Sequence, residues 1–309
     1  DQDKEEISLD PTQYRYRSLP PIHLKDWAMG SETEPNDGPH QASPIEVGQT
    51  VSARIWQPTD SGGDVDHYRF TAIQGQSLVI ETFGDSLGTS IDTRIQILSP
   101  DGQPIERLLL EAIRATSITF RPISSTAGGA RLENWEEMSL NDYLFMNGEV
   151  VKLFLAPRGP DSSWDFYPAA GTRRTYFDTS TTAHANFEAC YIVHPHPPGT
   201  PLPDNGLPRF PLYYENDDHS EAAKGRDSRV YFTAPESGDY LIRVIDTRHQ
   251  TSPRFIYQLV LREQRPDFDV RLSNLNPTIN RGSGRAFDVN RTRVDGFDGE
   301  IEVEITGLP

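Results

Sequence analysis

Asp66-His67-Tyr68-Arg69-Phe70-Thr71-Ala72 is the stretch on which the fold turns. Tyr68, Phe70 and Ala72 fall on one face and His67, Arg69 and Thr71 on the other, the period of two expected of a half-buried strand. Outward from it, 50–57, 76–84 and 93–99 are equally short segments rich in Val, Ile, Tyr and Phe. Turn signals separate them: Thr59-Asp60-Ser61-Gly62-Gly63, Gln74-Gly75, Gly84-Asp85 and Pro100-Asp101-Gly102. The pattern predicts antiparallel strands with tight connections. It returns at 228–234, 239–246 and 255–263, where Tyr257, Leu259 and Leu261 face one way and Gln258 and Arg262 the other.

Between these halves, 103–212 is less regular. The apolar run 107–120 has the length of a helix, but Ile113, Thr116, Ile118, Thr119 and Phe120 favour strand. Asn147-Gly148 at the centre of 143–155 predicts a two-residue hairpin. Short strands are expected at 173–178 and 190–194, among loops that end in 195–203. Residues 1–30 show no sustained periodicity and read as a linker. A boundary falls at Gln264-Arg265-Pro266; beyond it, 268–273, 286–294 and 300–306 read as the opening strands of another β-sandwich. Three strands leave open edges, so 264–309 is expected to be part of a domain and the chain a fragment of a longer protein.

Composition narrows the function. The 309 residues carry 46 acidic and 29 basic side chains, a net charge of −17. No cluster of Lys and Arg suits a nucleic-acid phosphate backbone, so no nucleic-acid partner is expected. No stretch approaches the roughly 20 apolar residues of a membrane helix, so no membrane span is expected. The first residues are charged and lack an apolar core, which puts any signal peptide upstream. With 23 Gly, 25 Pro and 35% apolar residues, the chain suits many short strands better than long helices. The single Cys190 cannot form an intrachain disulfide.

Ser31-Glu32-Thr33-Glu34-Pro35-Asn36-Asp37, followed by Gly63-Asp64-Val65-Asp66-His67-Tyr68-Arg69-Phe70, resembles the bacterial pre-peptidase C-terminal domain, a group that includes domains similar to the collagen-binding domains of bacterial collagenases. Gly75-Gln76-Ser77-Leu78, Leu87-Gly88-Thr89-Ser90-Ile91-Asp92, Phe232-Thr233-Ala234-Pro235, Ser237-Gly238-Asp239-Tyr240-Leu241-Ile242-Arg243-Val244 and the 257–261 strand match in the family's order. The resemblance covers 32–102 and 213–263. It implies an all-β, jelly-roll-like antiparallel sandwich over 31–263, in halves 31–102 and 213–263, interrupted by a mostly β and loop insertion, 103–212, that the family lacks. The tail, with Val294-Asp295-Gly296-Phe297-Asp298-Gly299, is similar to the immunoglobulin-like modules that follow such domains. Secretion or a cell-surface location is implied, and no catalytic activity.

In an extended chain Glu32, Glu34 and Asn36 share one face; Asp64 and Asp66 alternate before a strand, and Asp37 can join from the turn. Six oxygen-bearing side chains match the roughly six to eight hard ligands that calcium takes. Taken alone the run reads as a solvated acidic linker, common in a chain this acidic. The resemblance implies Ca2+, with Glu32, Glu34, Asn36, Asp37, Asp64 and Asp66 as its ligands.

Other constellations read more plainly. Glu215-Asn216-Asp217-Asp218, with Asp227, reads first as a turn capped by Asx hydrogen bonds and alternatively as a contributor to a calcium site. His194-Pro195-His196 with His184 lacks a third zinc ligand at a held geometry. Asp178, Ser180 and His184 lie in one short loop, unlike a triad, and Cys190 reads as a small buried hydrophobe. Trp135, Trp164, Phe166, Tyr167, Tyr176, Tyr213 and Tyr214 are either core or a platform for a ligand. The expected function is a non-catalytic, calcium-stabilised module that spaces, presents or adheres, with neighbouring domains of its parent protein as partners. One alternative is a module binding a collagen-like protein or a polysaccharide. The other is a hydrolase in 103–212, which requires a cleft grouping His184, Cys190, His194 and an acid.

Overall fold

A computed structural model describes residues 4–6, 28–56, 63–219, 226–273, 278–284, 286, 288–297 and 299–303. The chain is all-β and divides into two compact units, Trp27–Glu263 and a second built from Asp1–Asp26 with Gln264–Pro309.

The first unit is a sandwich of two five-stranded sheets with a nested seven-stranded sheet. One face of the sandwich orders Glu215–Asn216, Thr93–Leu98, Gly238–Asp246, Asp66–Ala72 and Ser43–Pro44. The other orders Arg229–Thr233, Ser77–Phe83, Ile256–Glu263, Gln49–Arg54 and Ala28–Ser31. Up to Thr93–Leu98, successive strands alternate between the sheets, and from Glu215–Asn216 to the end they do so again. This crossing within each half is the jelly-roll character that the family resemblance implied. Two edge strands depart from antiparallel order: Ala28–Ser31 pairs parallel to Gln49–Arg54, and Ser43–Pro44 parallel to Asp66–Ala72. Residues 28–30 therefore belong to a sheet and not to a linker; the rest of that linker expectation, apart from Lys4–Glu6, lies outside the described residues.

The inward faces supply one core. Tyr68, Phe70, Leu78, Ile80, Ile95, Ile97, Phe232, Ile242, Tyr257 and Leu259 are all buried in it. Phe70 meets Phe232 edge-on at 5.8 Å and stacks on Tyr240 at 5.7 Å, geometries in which ring quadrupoles attract.

The nested sheet orders Arg209–Tyr213, Glu106–Ser117, Ala189–His196, Tyr143–Met146, Glu149–Leu155, Trp164–Phe166 and Gly129–Ala130. The run that could have been a helix is thus a 12-residue strand, its β-branched residues prevailing over its length. Met146 pairs with Glu149 across Asn147-Gly148, both with positive φ, as a two-residue hairpin requires. The strand expected at 173–178 does not form. Phe177 and Asp178 have φ of 59° and 56°, which turns the backbone off any ladder after the single bond from Tyr176 N to Val150 O. Each face of the nested sheet carries its own apolar cluster, one around Leu144, Trp164 and Phe166, the other around Leu110, Phe145 and Val150.

In the second unit Asp267–Leu272 pairs with Val289–Val294, and Lys4–Glu6 with Thr278–Asn280. Residues 300–303 form no strand, and 304–306 lie outside the described residues. Among the described residues no helix is long and apolar enough to cross a membrane.

Candidate metal centre

Strand periodicity that buries Tyr68 and Phe70 also turns Asp66 inward, because residues two apart share a face. A carboxylate is thereby carried to the end of the sandwich core, fully shielded from solvent. Directly after Ala28–Ser31 the chain leaves its sheet toward Ser43–Pro44, and this crossing segment carries Glu32, Glu34 and Asn36. It is anchored at three points, Glu32 N donating to Ser52 O (3.2 Å), His67 N to Asn36 O (3.0 Å) and Ser43 Oγ to Thr33 O (3.0 Å), and within it Asn36 N donates to Glu34 Oε2 (3.0 Å).

The result is a convergence of Glu32, Glu34 and Asp66, each offering a carboxylate oxygen within 4.8 Å of the others. Asp64 is buried beside them and raises the electrostatic cost of all three charges. Burial, then the Glu34 and Asp64 charges, push the Glu32 carboxyl up to about 7. Burial and then the Glu32 charge hold Asp66 well above the usual carboxylate range. Glu34 is raised in the same way, by burial first. Among the described residues, the charges that chiefly act on these three carboxylates are themselves acidic: Glu32, Glu34, Asp37 and Asp64.

Two side chains that pattern alone did not assign complete the pocket floor. Tyr257, from the opposite sheet, donates to Asp66 Oδ2, and its hydroxyl lies 2.9 Å from that of Tyr68, which in turn reaches Glu32 Oε2 at 3.4 Å. Both tyrosines were legible only as inward-facing core residues. Of the other expected ligands, Asp64 is buried next to the group of three and Asn36 is buried, whereas Asp37 is exposed; neither Asp64 nor Asp37 belongs to that group.

The donor set fits a hard cation. Asn36 is fully buried, yet neither its Oδ1 nor its Nδ2 has a hydrogen-bond partner, and Asp66 Oδ1 is likewise buried without one. Buried polar atoms are normally satisfied, so such oxygens beside three carboxylates are the donors an oxygen-seeking ion would use.

A second acidic group differs. Asp92 joins Asp217 and Asp218, a partner that the run at 215–218 did not reveal. Here the charges of Arg94, Arg226 and Arg248 act on the three aspartates, so arginines supply the counter-charge. Asp227 instead caps the short turn Asp85–Leu87, accepting from Gly84 N (2.7 Å) and Asp85 N (2.9 Å).

The remaining candidates scatter. Among the described residues no histidine belongs to a three-ligand cluster. His184 and Cys190 are sealed in the nested domain, the thiol pushed up to about 12 by burial, while His194 is exposed on its strand. Ser180 Oγ accepts from Asp217 N (3.2 Å) and Asp218 N (3.0 Å), and Asp178 pairs with Arg107, so neither faces His184. Trp164 and Phe166 are core, Trp135 packs against that core, and Tyr214 packs against the sandwich core.

Fold and pocket together define an all-β sandwich with an acidic, oxygen-rich pocket where one strand crosses between sheets. No family model matches the chain, and no curated protein matches it.

Proposed function

We propose that this chain is a non-catalytic, calcium-stabilised β-sandwich module of the pre-peptidase C-terminal kind, acting outside the cell within a larger secreted or surface-held bacterial protein. The observation that carries the reading is the convergence of Glu32, Glu34 and Asp66, with Asp66 Oδ1 and the Asn36 amide atoms buried and without a hydrogen-bond partner. Those residues, with Asp64, would hold the ion; Asp37 faces solvent and is left out of the proposed set. When bound, Ca2+ supplies the positive charge that lets these carboxylates ionise side by side.

The chain's own part is positioning. Tyr257 holds Asp66 from the opposite sheet, and the His67–Asn36 backbone bond holds the crossing segment against Asp66–Ala72. A ligand shared by the crossing segment and the strand start ties the first edge strand to the core. That makes the beginning of the domain stiff and resistant to proteolysis, a property suited to spacing and presenting neighbouring domains.

Thermal melts in calcium and in excess chelator test this, with Glu34→Ala and Asp66→Ala beside the parent. A rise of several degrees in calcium for the parent, lost in both variants, is expected. Superimposed parent curves would show that the acidic segment is only a charged linker.

A further inference from the structure

The nested domain buries a histidine between two carboxylates, and nothing in the calcium reading uses it. His184 Nδ1 lies 2.6 Å from Glu188 Oε1, and Nε2 lies 2.9 Å from Glu149 Oε2. The imidazole and the Glu149 carboxylate have no exposed surface, and Glu188 keeps 19% of its side chain exposed. Arg173, itself 1% exposed, sets Nε 3.0 Å from the other oxygen of Glu149.

An ionised carboxylate only accepts hydrogen bonds, while a neutral imidazole donates from one nitrogen and presents a lone pair at the other. Placed between two carboxylates, a neutral ring would therefore point a lone pair at an anionic oxygen. With a proton on each nitrogen, both contacts become charge-assisted hydrogen bonds. The charge count agrees: Glu149 and Glu188 are balanced by Arg173 and an imidazolium, whereas a neutral ring leaves one buried negative charge uncompensated. The carboxylates are committed elsewhere too, Glu149 Oε2 to Thr182 N (2.9 Å) and Glu188 Oε2 to Ala185 N (3.0 Å). Across from the ring, Ile123 exchanges backbone hydrogen bonds with His184 and brings no charge.

The ring thus joins two parts of the nested domain that no strand pairing connects. Arg173 also donates from Nη2 to Thr182 O at 2.9 Å, so 173–188 is drawn together around Glu149. The middle of this loop, Phe177–Thr182, lines one wall of a cleft of about 510 Å³. Leu212, Tyr213 and Asp217 line it as well.

We propose that His184 is a proton-operated clasp: protonated at both nitrogens, it pins the 182–188 end of the loop to the strand Glu149–Leu155, and loss of one proton releases that end, while Asp178 and Ser180 stay held by Arg107 and by the Asp217 and Asp218 amides. Burial alone would favour the neutral ring, but the bonds to Glu149 and Glu188 and their charges outweigh it, so the folded group keeps its proton above the usual histidine range. The sign follows: the stabilisation is complete below about pH 6.5 and is lost as pH rises through the folded value.

The direct test is long-range ¹H–¹⁵N NMR of the full chain between pH 6 and 9, the His184 signals assigned by their absence in His184→Asn. Both ring nitrogens protonated at pH 7.5 is the expected result; one unprotonated nitrogen there overturns the clasp. Amide exchange at Thr182 and Ala185, corrected for its intrinsic pH dependence, should accelerate tenfold or more as the ring titrates, and unchanged protection would also overturn it. Glu188→Gln supplies an amide donor to Nδ1, so a neutral ring suffices; the alkaline decline in Tm should flatten, and a decline identical to the parent's counts against the proposal. The NMR reading on the parent stands even if a variant fails to fold.

Discussion

Tyr257 illustrates how much a single hydroxyl carries at the edge of this core. It donates to Asp66 and meets the Tyr68 hydroxyl at 2.9 Å, so it satisfies a buried carboxylate and links both sheets to the pocket. Tyr257→Phe strands an acceptor in the core and should cost about 1–3 kcal/mol by urea denaturation, in chelator as well as in calcium. Asn36 behaves in the opposite sense. Its amide atoms have no hydrogen bond to lose, so Asn36→Ala should leave the chelator melt near the parent's while shrinking the calcium-induced rise. An Asn36→Ala protein destabilised equally in both buffers would mean that the amide only fills space. Asp66 was legible as an acid in an alternating pair; that it lies on the same face as Tyr68 and Phe70 was the signal, available in the period of two, that it would be buried.

At the scale of elements, turn chemistry carried the most information. Asn147-Gly148 specifies its hairpin because both positions need positive φ, which Asn and Gly accept at the least cost. The strand expected at 173–178 fails for a reason outside its own residues. Arg173 pairs with Glu149, Tyr176 N donates to Val150 O, and Asp178 is held by Arg107 and Tyr231 N, while Phe177 and Asp178 take two successive left-handed conformations that break any ladder. Gly128 shows a constraint that no local pattern reveals. A Cβ there would lie 2.3 Å from the Gly171 carbonyl carbon, so backbone would have to move. Gly128→Ala should destabilise by about 1–3 kcal/mol, read as a lower urea midpoint, because a rigid neighbour cannot yield as a side-chain tip can. A midpoint equal to the parent's would show that the 128 and 171 segments separate freely.

For the whole molecule, the acidic pocket predicts an unusual pH profile. A carboxyl held protonated in the folded state and ionised in the unfolded state contributes least stability at high pH. Below about 4.5 both states are protonated; as pH rises through about 7 the Glu32 proton must leave a buried, negatively charged site. In chelator, Tm should therefore fall across that window, and calcium should reduce the fall, leaving the part owed to Asp217, whose carboxyl burial pushes up to about 6. The part of a decline persisting in calcium above about 6.5 that flattens in Glu188→Gln belongs to His184. A chelator profile that is flat from 4.5 to 7 would show that the pocket carboxylates ionise without penalty.

Local information decided the class of this protein. Alternation of apolar residues, Gly and Pro punctuation and an acidic balance suffice for an all-β chain of short strands, because side-chain period and turn conformation are properties of neighbouring residues. The period of two also put Glu32, Glu34 and Asn36 on one face, though on pattern alone that run reads as a solvated acidic linker, and a calcium site was implied only by the family resemblance. Only the tertiary structure decided which charges meet. Asp66 meets Tyr257 across 191 positions, Tyr68 meets Glu32 across 36, and His184 meets Glu149 across 35. Whether an acid ends beside arginines, as at Asp92, Asp217 and Asp218, or beside further acids, as at Glu32, depends on strand order across two sheets. Burial then decides the chemistry, because a charge that water would screen becomes, inside the sandwich, one that must find a proton or a cation.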